Sequence, residues 1–160
     1  MALRRDWKQS NLRQRLAVYN QGGASAAPLF KIGVNSMTIA EAISKVDALK
    51  PNTYTPEDKI DWLSNLDARV KSQIIDAHKC NEPIFFYGYD GLSDQETELL
   101  VPAPYDEMYL RWLEAMIDYH NSDDDRYNNA IILFNNAYEG YKKHFTRTHM
   151  PISAGNRFVF

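Results

Sequence analysis

The sequence has little with which to staple, span or ligate. A single cysteine, Cys80, rules out an internal disulfide framework and fits a reducing compartment. No apolar run approaches the roughly 18 residues that a membrane-spanning helix needs, and no signal-peptide hydrophobic region opens the chain. The expectation is a soluble, intracellularly made protein without membrane contact. Glycine and proline number seven each, and no glycine-rich phosphate loop is among them. His120, His144 and His149 have no H-x-x-H or E-x-x-H partner on one helix face. The run Asp123 to Asp125 lacks the alternating oxygen ligands and closing glutamate of a calcium loop, so it reads as a helix N-cap. His78 stands near Cys80 without a third orienting group or an elbow motif. No catalytic residue, metal or cofactor is expected.

What is present is enough for one domain: 160 residues, 44% of them apolar. Ten tyrosines and three tryptophans suggest extended contact surfaces as well as a core. Charge is unevenly placed. Residues 1–36 hold six basic residues (Arg4, Arg5, Lys8, Arg13, Arg15, Lys31) against Asp6, a net +5, while residues 37–160 hold 12 basic and 20 acidic residues, a net −8. The expected organisation is therefore a basic arm and linker over 1–36, a helical body over 37–150 and an extended tail over 151–160. The acidic body should repel nucleic-acid phosphates.

The patterning is that of a mainly α protein, a small bundle of about four to five helices with one long irregular loop. Leu3, Trp7, Leu12, Leu16 and Tyr19 partly follow a helical face over 3–20, and "QGGASAAP" breaks it. Thr38 and Glu41 form a capping-box pattern before Ile39, Ile43 and Val46, and Pro51 stops that helix. Thr55 then caps a second helix with Pro56 in its first position and Glu57 and Asp58 complementing the dipole. Its apolar face, Ile60, Leu63, Leu66, Val70 and Ile74, carries it to about residue 79.

Residues 80–104 are irregular, with two β-prone pieces, "IFFY" and "ELLV"; a loop of this length is a binding or packing element. From 105 to about 119 a helix carries one charged stripe (Glu107, Arg111, Glu114, Asp118), with Met108, Trp112, Met116 and Tyr119 elsewhere on it, and should be buried on most sides. A last helix runs to about Arg147. In it Tyr127, Ile131, Phe134, Tyr138, Tyr141 and Phe145 are spaced four, three, four, three, four, a stripe expected to be core.

Beside that stripe Asn128-Asn129 recurs as Asn135-Asn136, although asparagine is a mediocre helix former. Two readings stand open. The amides are either solvated at the margin of the stripe, or they tie down the 80–104 loop or a neighbouring chain. The chain closes on "NRFVF", where Arg157, Phe158, Val159 and Phe160 form a short β-prone piece with nothing in a helical body to pair with. It is expected to add to a sheet edge of another chain.

The ordered blocks "MTIAEAISKVDALKPN", "KIDWLSNLDARV", "LLVPAPYDEMYLRWLEAMIDYHN", "DRYNNAIILFNNAYEGYKKHFTRTHMP" and the terminal "RFVF" resemble the small head–tail connector (adaptor) proteins of tailed phages and prophages of Gram-positive bacteria. The likeness covers residues 37–160; residues 1–36 depart from it. It implies a virion structural protein made in the host cytoplasm and placed in the phage neck. There a ring of about twelve identical copies would join the portal to tail-side neck or tail-completion proteins. Genome DNA would pass through the channel without sequence-specific binding. The family assigns no catalytic residue.

In that setting Asn128 and Asn135 would face ring neighbours, where neutral amides avoid like-charge repulsion. Arg4, Arg5, Arg13 and Arg15 would dock on an acidic protein surface, with Trp7 and Leu16 as apolar anchors. The rival reading is a small helical DNA-binding regulator using the basic arm. It is disfavoured because no body helix carries a basic, base-reading face.

Overall fold

The computed structural model describes residues 36–80, 83–91 and 95–152. The helix expected over 3–20, the glycine-containing linker and the terminal "NRFVF" lie outside the described residues. Within them the protein is mainly helical, as the patterning predicts, with four α-helices and no strand.

Helix α1 (Ile39–Leu49) starts where its capping box requires. The Thr38 hydroxyl accepts the Glu41 N–H at 3.2 Å, and the Glu41 carboxylate accepts the Thr38 N–H at 3.3 Å. Ile39, Ala42, Ile43 and Val46 turn inward, and Lys50 closes the helix ahead of Pro51. Helix α2 (Pro56–Val70) repeats the device with Thr55 and Asp58. There the Thr55 hydroxyl and amide bonds hold the Asp58 carboxyl below the usual carboxylate range.

Ile60, Leu63, Leu66 and Val70 are buried as expected. The second helix nevertheless ends before residue 79. It widens into a π-helical turn, Lys71–Ile75, closed by Asp76 N–H to the Lys71 carbonyl at 2.8 Å. The widened turn keeps adjacent Ile74 and Ile75 both in the core.

Helix α3 (Glu107–His120) is buried along Met108, Tyr109, Leu113, Ala115, Ile117 and Asp118. Its charged stripe is split. Arg111 pairs with Glu107 (2.7 Å) and Glu114 (3.2 Å), but Asp118 is buried against Lys50 at the end of α1, while Tyr119 is exposed. A second buried charge, Lys59, reaches Asp47 at 2.6 Å. Both pairs tie α1 to its neighbours.

A turn with Ser122 at φ +57° leads into helix α4 (Asp124–Thr148), where Asp123 accepts the Arg126 N–H at 3.2 Å. The two helices α3 and α4 form the largest helix–helix contact among the described residues. Its centre is aromatic: Trp112 to Phe134 at 4.9 Å and Phe134 to Tyr138 at 5.7 Å between ring centroids. Phe134, Tyr138, Tyr141 and Phe145 are buried, so most of the stripe is core, while Tyr127 and Ile131 at its N-terminal end are half-buried.

Neither β-prone piece of the loop becomes a strand. Glu98 instead makes one antiparallel bridge to Thr38, and the carbonyls of Gln95 and Thr97 accept the first-turn N–H groups of Ala40 (2.9 Å) and Ile39 (3.1 Å). The loop thus satisfies donors that the start of α1 leaves open. Past the end of α4, Lys79 N–H bonds to Met150 and Ile152 N–H to Ala77. The first residues of the expected tail therefore pair within their own chain.

Candidate interaction surface

The outward face of α4 carries the feature that the core does not explain. From Tyr127 to Tyr138 the sequence has no charged side chain. The stripe Phe134–Tyr138–Tyr141–Phe145 turns inward, which leaves Asn128, Asn129, Ile132, Leu133, Asn135 and Asn136 exposed. Ile132 and Leu133 are 57% and 49% exposed.

The four amides make no side-chain hydrogen bond among the described residues, so the reading in which they tie down the 80–104 loop does not hold there. Charge returns only at the ends of the face, where Asp123 pairs with Arg126 and Glu139 with Lys142. An exposed helix normally fills such positions with Glu and Lys, which are better helix formers than Asn. On a body of net charge −8, a neutral strip holding two large aliphatic side chains has the composition of a contact surface.

The loop presents a second exposed element. Phe85 and Tyr87 are 67% and 84% exposed, and the backbone beneath them is pinned. Tyr89 N–H donates to Ser64 Oγ at 3.1 Å, and Gly88 turns at φ +90°, where a Cβ would stand 3.1 Å from the same oxygen. The Tyr89 hydroxyl donates to Asp67, whose carboxylate also accepts the Leu100 N–H (3.2 Å) and the Tyr109 hydroxyl (2.5 Å). The Tyr109 oxygen in turn accepts the Val101 N–H at 2.9 Å.

One carboxylate of α2 therefore fastens the middle and the C-terminal part of the loop, and reaches α3 through Tyr109. Burial pushes Asp67 up from 3.8 to about 6 against the opposing pull of Tyr109, Tyr89 and Leu100. Sequence reading passed over Asp67, although a signal was there: it falls four residues after Leu63 and three before Val70, on the apolar stripe of its helix.

The remaining sequence-marked groups are placed as follows. His78 Nδ1 lies 2.7 Å from the Ile74 carbonyl and its ring packs on Phe145, while the Cys80 thiol lies 3.9 Å from the carbonyls of Ile75 and His78. Burial and then Asp76 push the Cys80 thiol upward, away from the thiolate. No group of three or more His, Cys, Asp or Glu side chains among the described residues is arranged to hold a metal ion. No helix among them is long and apolar enough to cross a membrane. Asn128 and Asn135 share one face two turns apart. Arg4, Arg5, Trp7, Arg13, Arg15, Arg157, Phe158, Val159 and Phe160 lie outside the described residues.

No protein-family model, curated protein or solved structure matches this chain.

Proposed function

We propose that the chain is a head–tail connector subunit, a structural protein of the virion neck that forms an oligomeric ring between portal and tail. The observation that carries the reading is the charge-free outer face of α4 on an otherwise acidic body. Like-charged copies can approach through such a strip without repulsion, and around a ring it would meet a different surface of the next subunit. The resemblance adds the order of the blocks; the first four fall one to each helix, with the third also holding the entry from the loop. The acidic body supports the channel role, because a surface that lets DNA slide should not grip phosphate.

In this role the arm, with Arg4, Arg5, Arg13, Arg15 and Trp7, docks on an acidic surface of the portal or of a neighbouring subunit. The terminal Arg157-Phe158-Val159-Phe160 adds to a sheet edge on the portal or a tail-side protein. The deciding experiment is negative-stain microscopy of the purified chain, alone and with portal. Rings that cap the portal support the reading. A monomer that binds duplex DNA with sequence preference, and ignores portal, would replace it with the DNA-binding regulator.

A further inference from the structure

The outer face of α4 reads the same from either end. Asn128 and Asn129 lie four and three residues before Ile132, and Asn135 and Asn136 lie three and four residues after it. All five are exposed, with Leu133 beside the centre. Beyond it the exposed charges sum to opposite signs: Asp124 and Asp125 outnumber Arg126 at the N-terminal end, and Lys142 and Lys143 outnumber Glu139 at the C-terminal end.

We propose that this face is a self-complementary docking surface, on which α4 of a second copy of the chain lies antiparallel about a two-fold axis at Ile132. Helical geometry fixes the pairing. Asn128 meets Asn135 of the second copy and Asn129 meets its Asn136, while the two Ile132 side chains pack on each other at the axis. An amide carries both donors and an acceptor, so amide pairs are satisfied in this arrangement without a charge. Asp124 comes within reach of Lys142 of the second copy, and the helix dipoles oppose. A parallel pairing would set acids against acids and lysines against lysines. The net −8 of residues 37–160 makes two bodies repel, and this strip lets two copies approach without adding to that repulsion. A cationic partner would seek the acidic surface instead.

A two-fold contact closes on itself and cannot propagate around a ring. It uses the face that the connector reading gives to a ring neighbour, so under that reading it would be the state of the unassembled subunit only.

The test uses the full chain with Cys80→Ser, so that introduced thiols are the only ones. Ile132→Cys should cross-link to a covalent dimer under mild oxidation. Asn128→Cys combined with Asn135→Cys should do so as well, while Asn128→Cys alone should not; two turns of helix separate positions 128 and 135, too far for a disulfide within one chain. In sedimentation equilibrium Ile132→Asp should weaken dimerisation by about thirtyfold or more, the scale of losing a central contact, with unchanged melting.

Cross-linking by Asn128→Cys alone would mean a parallel pair and would overturn the proposal. So would a wild-type chain that stays monomeric up to its solubility limit. A monomer whose residue-132 thiol resists a soluble maleimide would do the same, because the face would then be covered by the chain's own residues 1–35. Rings without free dimers would overturn the pairing and leave the connector reading, and dimers that never form rings would do the reverse.

Discussion

The Tyr109 hydroxyl donates to the Asp67 carboxylate at 2.5 Å with both side chains fully buried and, among the described residues, no cation paired with them. Each group perturbs the other. Burial first, and then the Asp67 charge, push the Tyr109 phenol well above its ordinary range. The three donors on Asp67 keep its carboxyl from rising further than about 6. A buried anion satisfied only by neutral donors is costly to ionise but indispensable as an acceptor.

That relationship predicts an unusual pH profile. A carboxyl raised in the folded state favours folding while it is protonated. Its contribution is complete below the unfolded value near 3.8 and is lost as pH rises to about 6. The shift of about two units corresponds to about 3 kcal/mol. Urea unfolding between pH 4 and 7 should show a decline of this order, opposite in sign to that of ordinary paired carboxylates. Asp67→Asn should flatten the profile. Asp67→Ala, which strands Tyr89, Tyr109 and the Leu100 amide, should destabilise at every pH. A wild-type stability that rises steadily from pH 4 to 7, with Asp67→Asn rising in parallel, would refute the assignment.

The Lys50–Asp118 pair should respond unequally to its two truncations. The Asp118 side chain is 4% exposed and that of Lys50 23%. Lys50→Met leaves a carboxylate in the core with no cation and should cost about 3 kcal/mol, in the range for breaking a buried pair. Asp118→Asn leaves an ammonium that can turn toward solvent while keeping the Glu114 carbonyl, 3.3 Å away, so it should cost clearly less. Equal losses in denaturant titrations would show that neither charge is truly sequestered.

Phe134→Ala tests the aromatic seam between α3 and α4. Phe134 is 1% exposed and lies against Trp112 and Tyr138. Its truncation should cost about 3–5 kcal/mol, the usual scale for a phenylalanine cavity. A midpoint of unfolding indistinguishable from wild type would mean that the seam does not carry α4.

The features legible in the sequence are those set by neighbours in the chain. Thr38 with Glu41, and Thr55 with Pro56, mark helix starts because a cap is a contact across three residues. The 127–145 stripe marks a buried face because its period is helical. What was not legible depends on residues far apart in sequence. Asp67 is held by Tyr89, Leu100 and Tyr109, and "ELLV" forms a single bridge, Glu98 to Thr38, among the described residues instead of a strand. The end of α2 was misplaced for a similar reason: the π-helical turn answers to how Ile74 and Ile75 pack, not to a local stop signal. The asparagines lie between the two cases. Their position beside the stripe was plain, but whether they touched the loop required the fold.

The asparagines also give the cleanest separation of stability from assembly. Asn128 and Asn135 are exposed and lack side-chain partners among the described residues, so Asn128→Asp with Asn135→Asp should move the monomer's unfolding free energy by no more than about 0.5 kcal/mol, as exposed substitutions do. The same pair of changes puts two negative charges on the only neutral strip of the helix. Wherever that strip meets another copy, the new carboxylates face an uncharged or acidic surface and lose hydration without gaining a cation. Association, measured by sedimentation and by the yield of assembled particles, should fall steeply, and it should recover in part at high salt, which screens the exposed charges. Unchanged association and particle yield in the double variant would show that the amides of α4 are merely solvated.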